Sequence, residues 1–158
     1  MLKVGVGRRV ITPPMGYMLQ GYTPARPALS VYDDVHITAF AFETEGVRSI
    51  LFSAEVCNIR VEVIQMIKAP LEKATGVRAG NMIIACTHTH SSAHMSWGLE
   101  EDPENHYVVK TFIPMAIDSC QRKCNYICIF FCFNWCITDM FFCFIPKKYI
   151  TCPHSTMS

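Results

Sequence analysis

From Cys120 to Ser158 the sequence contains no glycine, alanine, leucine, valine or glutamate. Those five types supply 45 of the first 119 residues. They are among the commonest residues of soluble domains, so their joint absence marks a change of rule along the chain. In their place stand seven Cys, six Phe and five Ile. One reading is a membrane span: "YICIFFCFNWCITDMFFCFI", residues 126–145, has the right length and is followed by Lys147 and Lys148. Asn134 and Asp139 oppose it, because a charged residue near the centre of a span costs about 2.5–3.5 kcal/mol. The favoured reading is a frame error, since AT-rich DNA read out of frame yields Phe, Ile, Cys, Tyr, Asn and Lys. Residues 120–158 are then an aberrant tail without a native fold, with the 126–145 span as the alternative.

Net charge is also scarce. The formal value is +1, which gives no electrostatic case for a nucleic-acid partner or an acidic membrane surface. The opening "MLKVGVGRRVITPP" lacks a basic stretch followed by an apolar one and carries Lys3, Arg8 and Arg9 among its valines. That argues against a signal peptide, so a cytoplasmic location is expected, with membrane association as the alternative. Cysteine is rare before the tail, at Cys57 and Cys86 alone. The "CxxxCxxxCxxxCxxxC" run from Cys120 to Cys136 lacks the paired CxxC knuckles of structural zinc sites.

Within 158 residues there is room for one domain with a core. "KVGVGRRVI", 3–11, reads as a strand. The proline- and glycine-rich "TPPMGYMLQGYTPARPALS" reads as an irregular loop. "VHITAFAFETEG" and "VRSILFSAEV", 35–56, read as a hairpin turning at Glu45-Gly46. Val61, Ile64, Ile67 and Leu71 fall at helical spacing, with Asn58 as N-cap, Pro70 weakening or kinking the last turn and Gly76 or Gly80 stopping it. "NMIIAC" reads as a short buried strand, and a second helix is expected from about Glu104 to Ser119. A strand pair, a helix and another strand is the rhythm of an α/β domain. The expectation is a layered domain with a mixed β-sheet and flanking helices over residues 1–119, incomplete as it stands.

Three of the six histidines crowd into "THTHSSAH": His88, His90 and His94. His88 and His90 are two apart, so extended backbone would point both to one side, where two imidazoles can converge on one ion. They also follow an apolar strand, and α/β domains place their chemistry at the carboxyl ends of strands. An HxH pair supplies at most two ligands. His94, Glu100, Glu101, Asp102 and His106 are the nearby candidates for others. Ordinary loop histidines, one of them paired with a carboxylate, are the bland alternative. Glu55, at the end of the preceding strand, is a candidate general base or partner to a metal-bound histidine, with a surface salt bridge as its alternative. Asp33-Asp34 reads as a turn more readily than as a catalytic carboxylate pair.

"VGVGRRVITPPMGYMLQGY", "YDDVHITAFAFE", "SILFSAEVCNI" and "MIIACTHTHSS", in that order, resemble the start of the neutral/alkaline non-lysosomal ceramidase family. The resemblance covers roughly residues 4–119. It implies the N-terminal part of a zinc-dependent amidase that cleaves the N-acyl bond of ceramide or a related N-acyl lipid. It implies His88 as a zinc ligand and His90 as a group beside the metal that orients substrate or ligands. Val10 stands where the family usually has Asp, Glu55 replaces a more usual Asp, and Ser92-Ala93 replace Gly-Pro. The family's other zinc ligands, a His, a Glu and a Tyr, lie farther downstream than this chain extends. The chain alone is therefore expected to be inactive, with contact to membranes through a lipid substrate or through residues 126–145. Two other readings are a small membrane-anchored, non-catalytic protein and another HxH metal-dependent hydrolase; a barrel of the amidohydrolase kind lacks room here.

Overall fold

The computed structural model describes residues 1–102, 104, 106–124, 128 and 129. In chain order the elements are β1 (Lys3–Val10), β2 (Met18–Leu19), β3 (Arg26–Pro27), β4 (His36–Thr44), β5 (Val47–Ala54), α1 (Val61–Thr75), β6 (Met82–Cys86), α2 (Ile113–Cys124) and β7 (Cys128–Ile129). The main sheet has the order β6-β5-β4-β1-β7. All its pairings are antiparallel except β5 with β6, which is parallel and reached through α1. This is the expected α/β arrangement of mixed sheet and helices.

The hairpin between β4 and β5 turns at Glu45 (φ 50°) and Gly46 (φ 79°), the two left-handed positions that match the twist of paired strands. Register sorts the strands' side chains. Gly5, Ala41, Ile50 and Met82 form one cross-strand row, and Gly7, Ala39, Phe52 and Ile84 the next on the same face. Against that face pack Val63, Ile67 and Leu71 of α1 and Ala116 and Cys120 of α2, in one continuous core. Small residues on β1 and β4 let α2 approach closely, and the large ones on β5 fill the space below α1. Burying each large aliphatic side chain contributes about 1.5–3 kcal/mol.

Several local expectations change. The irregular loop contains β2 and β3, which pair with each other. α1 starts at Val61 with Arg60 at its N-cap and no side-chain cap. Asn58 does not cap it; its Oδ1 accepts instead from Gln20 Nε2 at 2.8 Å. Gly76 ends α1 at φ 72°, as its lack of a Cβ permits. The "NMIIAC" strand is not buried throughout: Ile83 is 62 % exposed, because β6 lies at the sheet edge and, among the described residues, the helices cover one face. The second helix is preceded by a π-helical turn, Val108–Phe112. Pro114 lacks an N–H and would press on the carbonyl four residues back, and a widened preceding turn relieves this. α2 then continues to Cys124, past the compositional change at Cys120. No helix among the described residues is long and apolar enough to cross a membrane. Apart from β7, the 126–145 segment lies outside the described residues.

Candidate metal centre

Parallel pairing sets the carboxyl ends of β5 and β6 side by side, and it continues past both strands. The Thr87 amide donates to Ala54 O (3.0 Å) and the His88 amide to Val56 O (3.0 Å). The backbone then turns left-handed at His88, φ 63°, a conformation that costs a non-glycine residue about 1–3 kcal/mol and clusters at functional sites. That turn swings the imidazole back over the end of β5, where its Nδ1 lies 2.9 Å from Cys57 O. A carbonyl accepts, so Nδ1 carries the hydrogen and Nε2 keeps a free lone pair. The Cys57 thiol sulfur is 3.7 Å from the same Nδ1.

His90 meets His88 edge to face, with ring centroids 5.3 Å apart, and meets Tyr22 in the same way at 6.0 Å. Its ring lies directly over Gly21. A Cβ on Gly21 would fall 2.4 Å from His90 Cγ, and Gly21 has φ +92°. The loop carrying Gly21 is tied to the histidine loop by Gln20 N to Ser92 O (3.2 Å), His94 N to Met18 O (2.7 Å) and a bridge between Leu19 and Ala93. His88 and His90 thus converge, through a left-handed turn and a glycine cradle rather than through extended backbone.

Ligating atoms of Cys57, His88 and His90 all lie within 4.8 Å of one another, the cysteine buried and both histidines exposed. Around a tetrahedral zinc, nitrogen and sulfur ligands sit roughly 3.3–3.6 Å apart. Small rotations of two exposed imidazoles would cover the difference, so the donor set fits such an ion.

The other sequence candidates make their contacts outside the Cys57, His88 and His90 cluster. Glu55 accepts from the His36 amide at 2.7 Å, faces His36 Nδ1 at 3.3 Å and pairs with Arg8 at 3.7 Å, tying the starts of β4 and the end of β1 to the end of β5. Asp34 accepts from Thr12 Oγ1 at 2.7 Å, and that hydroxyl accepts the Val35 amide, a turn as expected. His106 is buried. Its Nδ1 accepts the Val108 amide (3.2 Å), so Nε2 carries the hydrogen between Trp97 O (2.8 Å) and Tyr17 Oη (2.7 Å). Burial raises the Tyr17 phenol to about 12 and pushes Tyr107 up as well. His94 stacks edge-on against Trp97. With Arg60, Trp97, Gly98, Glu100 and Glu101 it borders an open cavity of about 570 Å³. Its Nδ1 is buried without a hydrogen-bond partner among the described residues.

Sequence reasoning missed Cys57 because it sought a third ligand near the histidines along the chain, whereas Cys57 is near them across the sheet. It read Gly21 as turn chemistry only.

The same fold occurs in solved ceramidases. The chain matches the neutral ceramidase from Pseudomonas aeruginosa with a TM-score of 0.63 and 22 % identity, over 77 % of this chain and 21 % of that one. The fold is that of a neutral ceramidase segment. A second structure, a ceramidase complexed with C2, matches with a TM-score of 0.61 and 21 % identity, over 75 % of this chain and 20 % of that one. The chain therefore spans about a fifth of the length of these ceramidases. No protein-family model and no curated protein matches the sequence.

Proposed function

We propose that this chain is the N-terminal segment of a zinc-dependent amide hydrolase acting on the N-acyl bond of ceramide or a related N-acyl lipid. The observation that carries the reading is the convergence of His88 and His90 at the carboxyl ends of β5 and β6, in a fold shared with neutral ceramidase. His88 would ligate the metal through Nε2, since Nδ1 is held by Cys57 O. His90, fixed between His88, Tyr22 and Gly21, would orient the substrate amide. Glu55, one residue before the carbonyl that accepts the His88 amide and bonded to His36 and Arg8, would serve as a carboxylate partner at the edge of the site. A bound zinc would supply a water of lowered pKa and polarise the carbonyl.

The proposal includes a division at residue 120, with a frameshift-like tail, cytoplasmic residence and no turnover by the 158-residue chain alone. Two steps test it. Resequencing the gene through the codons for Ile117 to Lys123 is expected to open a longer frame rich in Gly, Ala, Leu and Glu. The product of that frame is expected to release fatty acid from N-acylsphingosine in a zinc-dependent manner, and His88→Ala is expected to reduce the rate at least about a thousandfold, as loss of a catalytic metal would. Hydrolysis that survives His88→Ala unchanged would sink the reading.

A further inference from the structure

We infer that Cys57 is itself a metal ligand, and that Cys57, His88 and His90 form a three-donor site selecting thiophilic divalent cations within this chain. The inference stands on the geometry of the three side chains and does not require the amidase reading; in it His90 ligates the ion in place of the substrate-orienting role that reading gives it.

The hydrogen-bond pattern points the same way. One hydrogen sits on His88 Nδ1 and is directed at Cys57 O, 2.9 Å away. The sulfur at 3.7 Å from that nitrogen cannot donate to it as well, because a protonated Nδ1 has no lone pair. Cys57 Sγ is thus left beside a donor and two imidazoles, with no acceptor for an S–H shown on the His88 side. A cation between the sulfur and the rings would satisfy all three. On binding, the thiol would pass its proton to solvent and its sulfur would enter as thiolate. The backbone carbonyl of Cys57 would meanwhile fix the tautomer and tilt of His88, the usual duty of an outer partner to a ligating histidine. One residue would then act twice, through its side chain on the ion and through its main chain on the other ligand.

Other features pre-organise the site. The left-handed turn at His88 and the bare face of Gly21 under His90 are both costly or restrictive, and both serve to hold the imidazoles together. The neighbouring Cys86 thiol, pushed up by burial and then by Cys57, is outside the cluster and serves as a control. One thiolate with two imidazoles favours zinc, cobalt or cadmium over magnesium, calcium and manganese.

The test is cobalt(II) titration of the full chain. Seven further cysteines follow residue 119, so the informative quantity is the difference between the parent and each variant. Cys57→Ser is expected to remove one thiolate's share of the near-ultraviolet sulfur-to-cobalt band and to weaken the tightest binding by roughly a hundredfold, at or beyond the loss typical of an outer partner. His88→Gln is expected to weaken that binding comparably, and Cys86→Ser to change neither band nor affinity. Far-ultraviolet circular dichroism of the metal-free proteins checks folding. If Cys57→Ser keeps both band and affinity, the proposal is overturned; weakening by His88→Gln alone would then leave the histidine metal reading standing. Should Cys57→Ser fail to fold, alkylation of the parent mapped by peptide mass spectrometry decides. Tenfold or greater protection of Cys57 by zinc, abolished in His88→Gln, supports the site. Equal rates with and without zinc, fast or negligible, overturn it.

Discussion

At the scale of single residues, one missing side chain shapes the site and one half-buried phenol supports the fold near it. Gly21 has a left-handed φ and would drive a Cβ into the His90 ring. Gly21→Ala is therefore expected to cost about 1–3 kcal/mol of stability in urea denaturation and to weaken cobalt binding by displacing His90. A neutral result in both would show that the loop gives way easily. Tyr17 contributes differently. Its phenol is raised by burial from 10.0 to about 12 in the folded chain. A raised value means that its stability contribution is complete below pH 10 and is lost as pH climbs to about 12, because the unfolded chain ionises first. Tyr17→Phe is expected to lower stability at pH 7 by about 1 kcal/mol through the lost His106 contact, yet to flatten the fall of Tm above pH 10. An unchanged alkaline slope would refute this account of Tyr17.

At the scale of elements, α1 decides where the two site-bearing strand ends meet. It carries the chain from β5 back to a parallel β6, and its Val63, Ile67 and Leu71 lie on the sheet. Leu71 is completely buried in the turn after Pro70. Leu71→Ala is expected to cost about 2–5 kcal/mol and, because β6 is held at the edge by this crossover, to loosen His88 along with it. The check is loss of cobalt affinity well below the denaturation midpoint. The helical spacing and the Gly76 stop were legible because both are local. The start of α1 was not, because Asn58 is drawn away by Gln20, 38 residues earlier.

At the scale of the molecule, the described residues cover one face of the sheet and leave the other open. Val6, Phe40, Leu51 and Ile83 are register partners across four strands on the open side. Val6, Leu51 and Ile83 are among the exposed large hydrophobic residues. A contiguous apolar row on an exposed sheet favours association. Ile83→Lys is expected to lower light scattering of the purified chain while changing stability by no more than about 0.5 kcal/mol. Undiminished scattering would place the association elsewhere.

The sequence by itself determined what neighbours along the chain can dictate: a hairpin turning at Glu45-Gly46, a helix on a 3.6-residue period, an HxH at a strand end, and the compositional break at Cys120. Its ordered segments also carried the ceramidase resemblance that the fold bears out. Tertiary structure alone decided which distant residues meet. Cys57 reaches His88 across 31 positions because β5 and β6 run parallel, and Gly21 reaches His90 because β2 docks on the histidine loop. Such contacts depend on the balance of core packing and backbone pairing over the whole sheet, which no local pattern encodes.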